Sequence, residues 1–228
     1  PAWREMLDEL APFAAELSAA NRKQLEQTIQ VMVAEKNWEG CGGLVMEDLQ
    51  RVTIAAHAAR MTMAWGLDPF DEILSVLVYP DTYVAHGPEM LGSTLVVGES
   101  VRLGEAWHRG PVVLAWSDVQ QSARGWNPGH NVVIHEFAHH LDMRNGQHAD
   151  GIPPIEDRQL AEQWLNMLDV DYGRLVHWCQ QGIDTGIDCY AATDHAEFFA
   201  VVSEVYFESP RTLSQHWPRV YNALSRFY

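Results

Sequence analysis

Cysteine is scarce in this sequence, with three residues in 228, and Cys41, Cys179 and Cys189 form no C-x-x-C pair. An odd number of cysteines without paired spacing disfavours both a disulfide framework and a zinc site built from thiolates. The sequence therefore favours a protein of the reducing cytoplasm.

Basic residues are also few. The chain has 15 lysines and arginines and 31 acidic residues, which gives a formal net charge of −16. Such a surface would repel a phosphate backbone, so direct binding of nucleic acid is not expected. No apolar run approaches the roughly 18 residues that a membrane span requires, and no membrane association is expected. The negative charge is explained most simply by solubility rather than by recognition of a basic partner.

The length and the hydrophobic content, 47% of the residues, suit one well-packed globular domain. Apolar residues recur at helical spacing in the first part of the chain, and short apolar runs typical of strands follow. We expect a single α+β domain over residues 1–228. It would comprise an N-terminal helical portion (1–66) and a second portion (67–228) with a small mixed sheet and further helices.

Individual elements follow from the same patterns and from turn residues. A helix with apolar residues on almost all sides is expected to be buried. Asn127 and Pro128 resemble the N-cap and first-turn proline of a later helix that ends near Gly146. The helices are expected at 1–36 (two helices), Glu47–Trp65, Asn127–Gly146, Glu156–Trp178 and Asp194–Phe207, and the strands at Ile73–Tyr79, Thr94–Val97 and Pro111–Trp116.

The motif H-E-x-x-H occupies His135 to His139 of the helix expected from Asn127. Histidines at i and i+4 project from one helix face, so their ring nitrogens can converge on one metal ion. Glu136, beside the first histidine, can accept a proton from a metal-activated water. The alternative is a pair of structural histidines in the core, but the apolar context of the motif favours the metal site.

A third ligand must come from farther along the chain. The pattern H-E-x-x-H-x-x-G-x-x-H would need Gly and His where Asp142 and Asn145 stand. Glu197 lies in an apolar segment, where an isolated carboxylate is costly unless it is paired or bound to a metal. The sequence around Glu197 leaves a second interpretation open, in which Glu197 completes a capping box with Asp194.

Several motifs that occur in order along the chain resemble one known family. They are His135-Glu-Phe-Ala-His139-His-Leu-Asp142, Ala196-Glu197-Phe-Phe-Ala200, Leu77-Val-Tyr-Pro80, Gly110-Pro-Val-Val-Leu-Ala-Trp116, Arg144-Asn-Gly146 and Gly151-Ile-Pro. Together they resemble the Mlc titration factor A family of bacterial zinc peptidases and, more distantly, the catalytic domain of anthrax lethal factor. Both are gluzincins, in which a distal glutamate completes the zinc site.

The resemblance implies a zincin-like domain that hydrolyses peptide or protein substrates with one Zn²⁺ ion. His135, His139 and Glu197 would bind the ion, and Glu136 would act as general base. Tyr190, seven residues before Glu197, would donate its hydroxyl hydrogen to the oxyanion. Without the resemblance, the sequence is explained equally well if Tyr190 is an ordinary loop tyrosine. The sequence does not distinguish an endopeptidase from an aminopeptidase.

A regulatory role is the alternative function, and it is implied by the same resemblance. Members of the family sequester a transcriptional repressor of sugar uptake, so a repressor protein is a second expected partner and peptidase activity would be secondary. A purely structural zinc is disfavoured, because three ligands beside Glu136 leave the open position that catalysis needs.

Other polar residues near the motif are expected to have supporting roles or none. Asp142 could orient a ligand imidazole or form a salt bridge with Arg144 or Arg158. Glu204 could orient a ligand imidazole from the later helix, but a solvated or ion-paired face is the favoured interpretation. Five further histidines have no partner at ligand spacing and are expected to be bystanders: His130, His140, His148, His177 and His195.

Overall fold

The computed structural model describes residues 2–65, 70–81, 89–91, 94–96, 110–146 and 148–228. Ten α-helices are present in these residues. They are α1 (Ala2–Leu10), α2 (Ala19–Glu35), α3 (Asp48–Met61), α4 (Trp116–Ala123), α5 (Val132–Asp142), α6 (Arg158–Met167), α7 (Gly173–Gln180), α8 (His195–Glu208), α9 (Pro210–His216) and α10 (Pro218–Phe227).

Five short strands accompany the helices: β1 (Asn37–Gly40), β2 (Ser75–Tyr79), β3 (Glu89–Leu91), β4 (Thr94–Val96) and β5 (Val112–Ala115). β1, β2 and β5 form a parallel sheet with β2 in the centre, in which Val76 lies opposite Trp38 and Val112. β3 and β4 pair with each other in antiparallel orientation. The predicted α+β class is therefore confirmed. The boundary expected at residues 66 and 67 falls outside the described residues.

The core is built around α3, α5 and α8. Every residue from Val52 to Ala59 of α3 is buried, as the apolar pattern of that segment predicts. α5 packs against α8, α3 and β5. Phe137 of α5 is fully buried and meets the edge of Phe70, with 4.7 Å between ring centroids. Burial of a side chain of this size stabilises the fold by about 2–3 kcal/mol, so α5 is held firmly at its apolar face.

Among the described residues, no helix is both long and apolar enough to cross a bilayer. Most predicted elements are present with somewhat different bounds, but the predicted start of α5 is wrong. Val97, the predicted end of one strand, falls outside the described residues. The side chain of Asn131, not Asn127, caps this helix. Asn127 instead begins a turn in which its carbonyl accepts the N–H of His130, and Gly129 within that turn has φ of +88°. A left-handed residue cannot continue a helix, so α5 begins only after it.

The cysteine prediction is also wrong, because Cys179 and Cys189 form a disulfide. The bridge joins the last turn of α7 to the 3₁₀ turn Cys189–Ala192. The two cysteines are ten residues apart, a spacing that matches no common motif, and Cys41 is the unpaired third. The expectation of a reducing compartment therefore loses the support of the cysteine pattern.

A buried polar network ties the N-terminal helices to α5 and α8. The Nε2–H of His57 on α3 donates to the Leu10 carbonyl at 3.0 Å, and the Asn131 amide donates to His57 Nδ1 at 2.9 Å. The same amide donates to Glu208, which pairs with Arg60 at 3.0 Å. Both His57 nitrogens are thus satisfied in the neutral ring. Burial lowers the pKa of His57 to about 4.

This network predicts that His57 contributes to the pH dependence of stability. Its pKa in the folded protein lies below the ordinary value of about 6.5, so the unfolded chain binds the proton more readily as the pH falls. Stability from the neutral ring is present above pH 6.5 and is lost towards pH 4, by up to about 3 kcal/mol. Replacement His57→Gln, which cannot titrate, should reduce the slope of the free energy of unfolding against pH over this range.

Urea denaturation between pH 4 and pH 7.5 measures this difference, with His216→Gln at an exposed position as the control. Equal slopes for the wild type and His57→Gln would contradict the assignment.

Candidate metal centre

α5 presents His135 and His139 on one face because its start and its apolar side are both fixed. The Asn131 side chain accepts the N–H of Ile134 at 3.2 Å and caps the first turn. The two histidines are one turn apart, and their Nε2 atoms are 3.2 Å from each other. The rest of the helix anchors it in the core through buried residues: Val133, Ile134, Phe137, Ala138 and Leu141.

α8 brings Glu197 to the same point. Asp194 caps this helix by accepting the backbone N–H of Glu197 at 2.9 Å. The Glu197 carboxylate turns away from the cap, and its Oε2 lies 3.2 Å from His135 Nε2 and 3.5 Å from His139 Nε2. The capping-box interpretation, in which that carboxylate would cap the Asp194 backbone, therefore does not describe this structure.

The donor atoms of these three residues fit one tetrahedral cation. They lie within 4.8 Å of one another, and ligands at about 2.0–2.1 Å from a tetrahedral ion are about 3.3 Å apart. Glu197 Oε2 is buried and receives no hydrogen bond of ordinary geometry from the described residues. Burial would raise the pKa of Glu197, but the two imidazoles bring it well below its ordinary value. A buried carboxylate beside two imidazole nitrogens is a donor set suited to zinc.

Glu204 is hydrogen-bonded to Nδ1 of His135, the ring nitrogen that does not face Glu197. Only 3% of Glu204 is exposed, so the solvated position is wrong, and the alternative contact with an imidazole of the motif is present. Its carboxylate accepts the Nδ1–H of His135 at 2.8 Å and the backbone N–H of Asn131 at 2.6 Å. The hydrogen bond places the proton of the neutral ring on Nδ1 and leaves Nε2 to face Glu197. Burial alone would lower the pKa of His135, but the Glu197 and Glu204 carboxylates raise it to about 10, so the site favours positive charge.

Asp142 has a structural contact instead of either predicted one. It is fully buried, and its Oδ2 accepts the backbone N–H of Gly151 at 2.7 Å. A side chain at Gly151, where φ is +79°, would collide with the His195 carbonyl near the start of α8. The contact therefore joins the end of α5 to the loop that passes beneath α8.

Glu136 lies on α5 between the two histidines and is partly buried. Burial raises the pKa of its carboxyl group, and the adjacent His135 and His139 oppose that shift. A carboxylate with increased proton affinity is better able to accept a proton near neutral pH.

Tyr190 lies beside the cluster at the start of the segment that leads to α8. Its ring centroid is 6.1 Å from that of His135, and 37% of the residue is exposed. A cavity of about 350 Å³ opens here, and its lining includes Tyr190, His135, Glu204, His130 and Asp188. His130, for which the sequence predicts no role, has its Nε2 3.3 Å from Asp188 Oδ2. Sequence spacing could not have revealed this contact, because His130 and Asp188 are 58 residues apart in the chain.

Sequence comparisons match nearly the whole chain. The sequence profile of the family described as glucose-regulated metallo-peptidase M90 matches residues 1–228. Mlc titration factor A of Yersinia enterocolitica is 35% identical over 233 residues, which cover 99% of this chain and 84% of that protein. The protein of the same name from Yersinia pestis is 34% identical, with 99% and 83% covered. An uncharacterized protein of Synechocystis sp. is 35% identical over 232 residues, with 100% and 83% covered.

Proposed function

Because the chain belongs to the glucose-regulated metallo-peptidase M90 family, we propose that it is a zinc-dependent peptidase whose His135, His139 and Glu197 hold a single zinc ion. The observation that carries the proposal is the convergence of two Nε2 atoms and one carboxylate oxygen from α5 and α8. Two nitrogens and one oxygen leave a fourth tetrahedral position for water, as catalytic zinc sites require. Peptides or proteins are the substrates.

Each residue around the cluster has a separate role in the proposed peptide hydrolysis. A zinc ion held there would supply Lewis-acid activation of water and of the peptide carbonyl. Glu136 accepts a proton from the attacking water and then donates it to the leaving amine. The Tyr190 hydroxyl donates to the oxyanion of the tetrahedral intermediate. Glu204 keeps the His135 ring in the orientation that binding requires.

Regulation of a repressor is a second candidate function, favoured by a different observation. The Yersinia relatives that match 99% of this chain carry the name Mlc titration factor A. A transcriptional repressor of the Mlc type is accordingly the partner that this candidate predicts. Peptide hydrolysis and repressor binding can coexist in one protein.

Metal binding should depend on Glu197 far more than on other glutamates. Glu197→Gln removes the charged ligand atom but keeps the side-chain shape, so zinc affinity should fall by at least about a hundredfold. Glu204→Gln should weaken it about tenfold, because only the orientation of His135 is affected. Competition titration with a chromophoric chelator measures both values. The control is Glu162→Gln, since Glu162 is an exposed partner of Arg158 on α6. Wild-type affinity in Glu197→Gln would exclude this ligand set.

Glu136→Gln should separate the two candidate functions. The variant should retain one zinc per chain and the native fold, yet peptide hydrolysis should fall by about a thousandfold or more, since the proton acceptor is lost. Binding of an Mlc-type repressor, measured by calorimetry, should be unchanged. Peptides with free and with blocked amino termini serve as substrates and distinguish aminopeptidase from endopeptidase activity. Rapid cleavage that persists in Glu136→Gln would place the chemistry elsewhere in the chain.

Tyr190→Phe should lower kcat about tenfold to a hundredfold, because one hydrogen bond to the oxyanion disappears. Zinc content and KM should change little, since the phenyl ring keeps its place. Steady-state kinetics together with metal analysis provide the measurement. Unchanged turnover would remove Tyr190 from the mechanism.

A further inference from the structure

The segment that carries Tyr190 is held by Asp188. One oxygen of this carboxylate, Oδ1, accepts the backbone N–H of Tyr190 at 2.8 Å and caps the 3₁₀ turn Cys189–Ala192. The other oxygen, Oδ2, lies 3.3 Å from Nε2 of His130. A single carboxylate therefore joins the backbone of Tyr190 to the His130 imidazole.

The opposite nitrogen of His130 faces the metal centre. Its Nδ1 lies 3.8 Å from Oε2 of Glu204, whose Oε1 accepts the Nδ1–H of His135 at 2.8 Å. His130 also immediately precedes Asn131, the N-cap of α5. A continuous series of contacts thus runs from Tyr190 through Asp188, His130 and Glu204 to His135, and all five residues line the same cavity.

We propose that His130 is a positioning residue, which holds the Tyr190 segment at a fixed place relative to the metal-binding face of α5. The catalytic part of this inference rests on the proposed peptidase function. His130 does not bind the metal, since its two nitrogens face the carboxylates of Asp188 and Glu204. It acts through Asp188 on where the Tyr190 hydroxyl is placed.

Solvent exposure distinguishes this role from a general contribution to stability. The side chains of His130 and Asp188 are 38% and 45% exposed. A polar contact with that exposure adds little to the free energy of unfolding. Loss of the contact between His130 and Asp188 should therefore make the Tyr190 segment locally less ordered, while the core around α5 and α8 remains intact. The disulfide between Cys179 and Cys189 holds the same segment from the side of α7, so it stays folded without His130.

A double-mutant cycle with Tyr190 tests the catalytic part on zinc-loaded full-length protein. His130→Ala should lower kcat about five- to tenfold, with KM and zinc content unchanged. In the Tyr190→Phe background the same change should have less than about a twofold effect, because the hydroxyl that it positions is gone. His130→Gln serves as a second variant, and His216→Ala, at an exposed histidine outside the cavity, should behave like the wild type.

Hydrogen exchange supplies a readout that needs no activity. Peptides covering residues 185–194 should exchange about tenfold faster in His130→Ala than in the wild type or His216→Ala, while peptides from α5 and α8 remain protected. If the wild type hydrolyses no peptide, the proposed function fails, and the exchange data alone decide whether His130 orders this segment. Unchanged exchange would overturn the inference. A loss of kcat that persists in full in the Tyr190→Phe background would equally overturn it.

Discussion

Asn131 fixes the position of α5, and the geometry of the candidate metal centre depends on it. This fully buried residue caps the helix through its side-chain oxygen and donates from its amide nitrogen to His57 and Glu208. Its backbone N–H donates to Glu204. The partners lie on α3 and α8, so one residue sets the axial position of α5 relative to both helices. A shift of 1 Å along that axis would move two imidazoles away from a carboxylate that has to lie within about 3.5 Å of them.

Three carboxylates concentrated around two imidazoles would destabilise a protein interior if they were left uncompensated. The structure meets this constraint by pairing. Glu204 is satisfied by His135 and the Asn131 backbone, and Glu197 faces the Nε2 atoms of His135 and His139 in a site suited to a cation. The apolar packing of α5 against α8 holds these charges at close range. The chain belongs to a metallo-peptidase family, and the electrostatics of the cluster favour a cation. Both therefore indicate a metal ion as the occupant of the cluster.

The sequence was most informative where function depends on local spacing. His135 and His139 follow from helical periodicity, and Glu197 follows from the cost of a carboxylate in an apolar segment. The same argument applied to Glu204, with Val201, Val202 and Val205 around it, would have predicted its burial. His130 could not be recognised in this way, because its partner is close only in three dimensions. The disulfide was missed for the same reason, since an odd count and a ten-residue spacing carry no geometric information.

The contact between His135 and Glu204 spans 69 residues of chain, and that between His57 and Asn131 spans 74. Contacts of such long range form late, since the entropy of closing the intervening loops must be overcome before they contribute. During synthesis, both histidines of α5 leave the ribosome well before α8 exists. With the proposed ligand set, the nascent chain would offer a metal only two ligands, and the third would arrive when the C-terminal helices dock. Metal binding would then depend on the completion of folding.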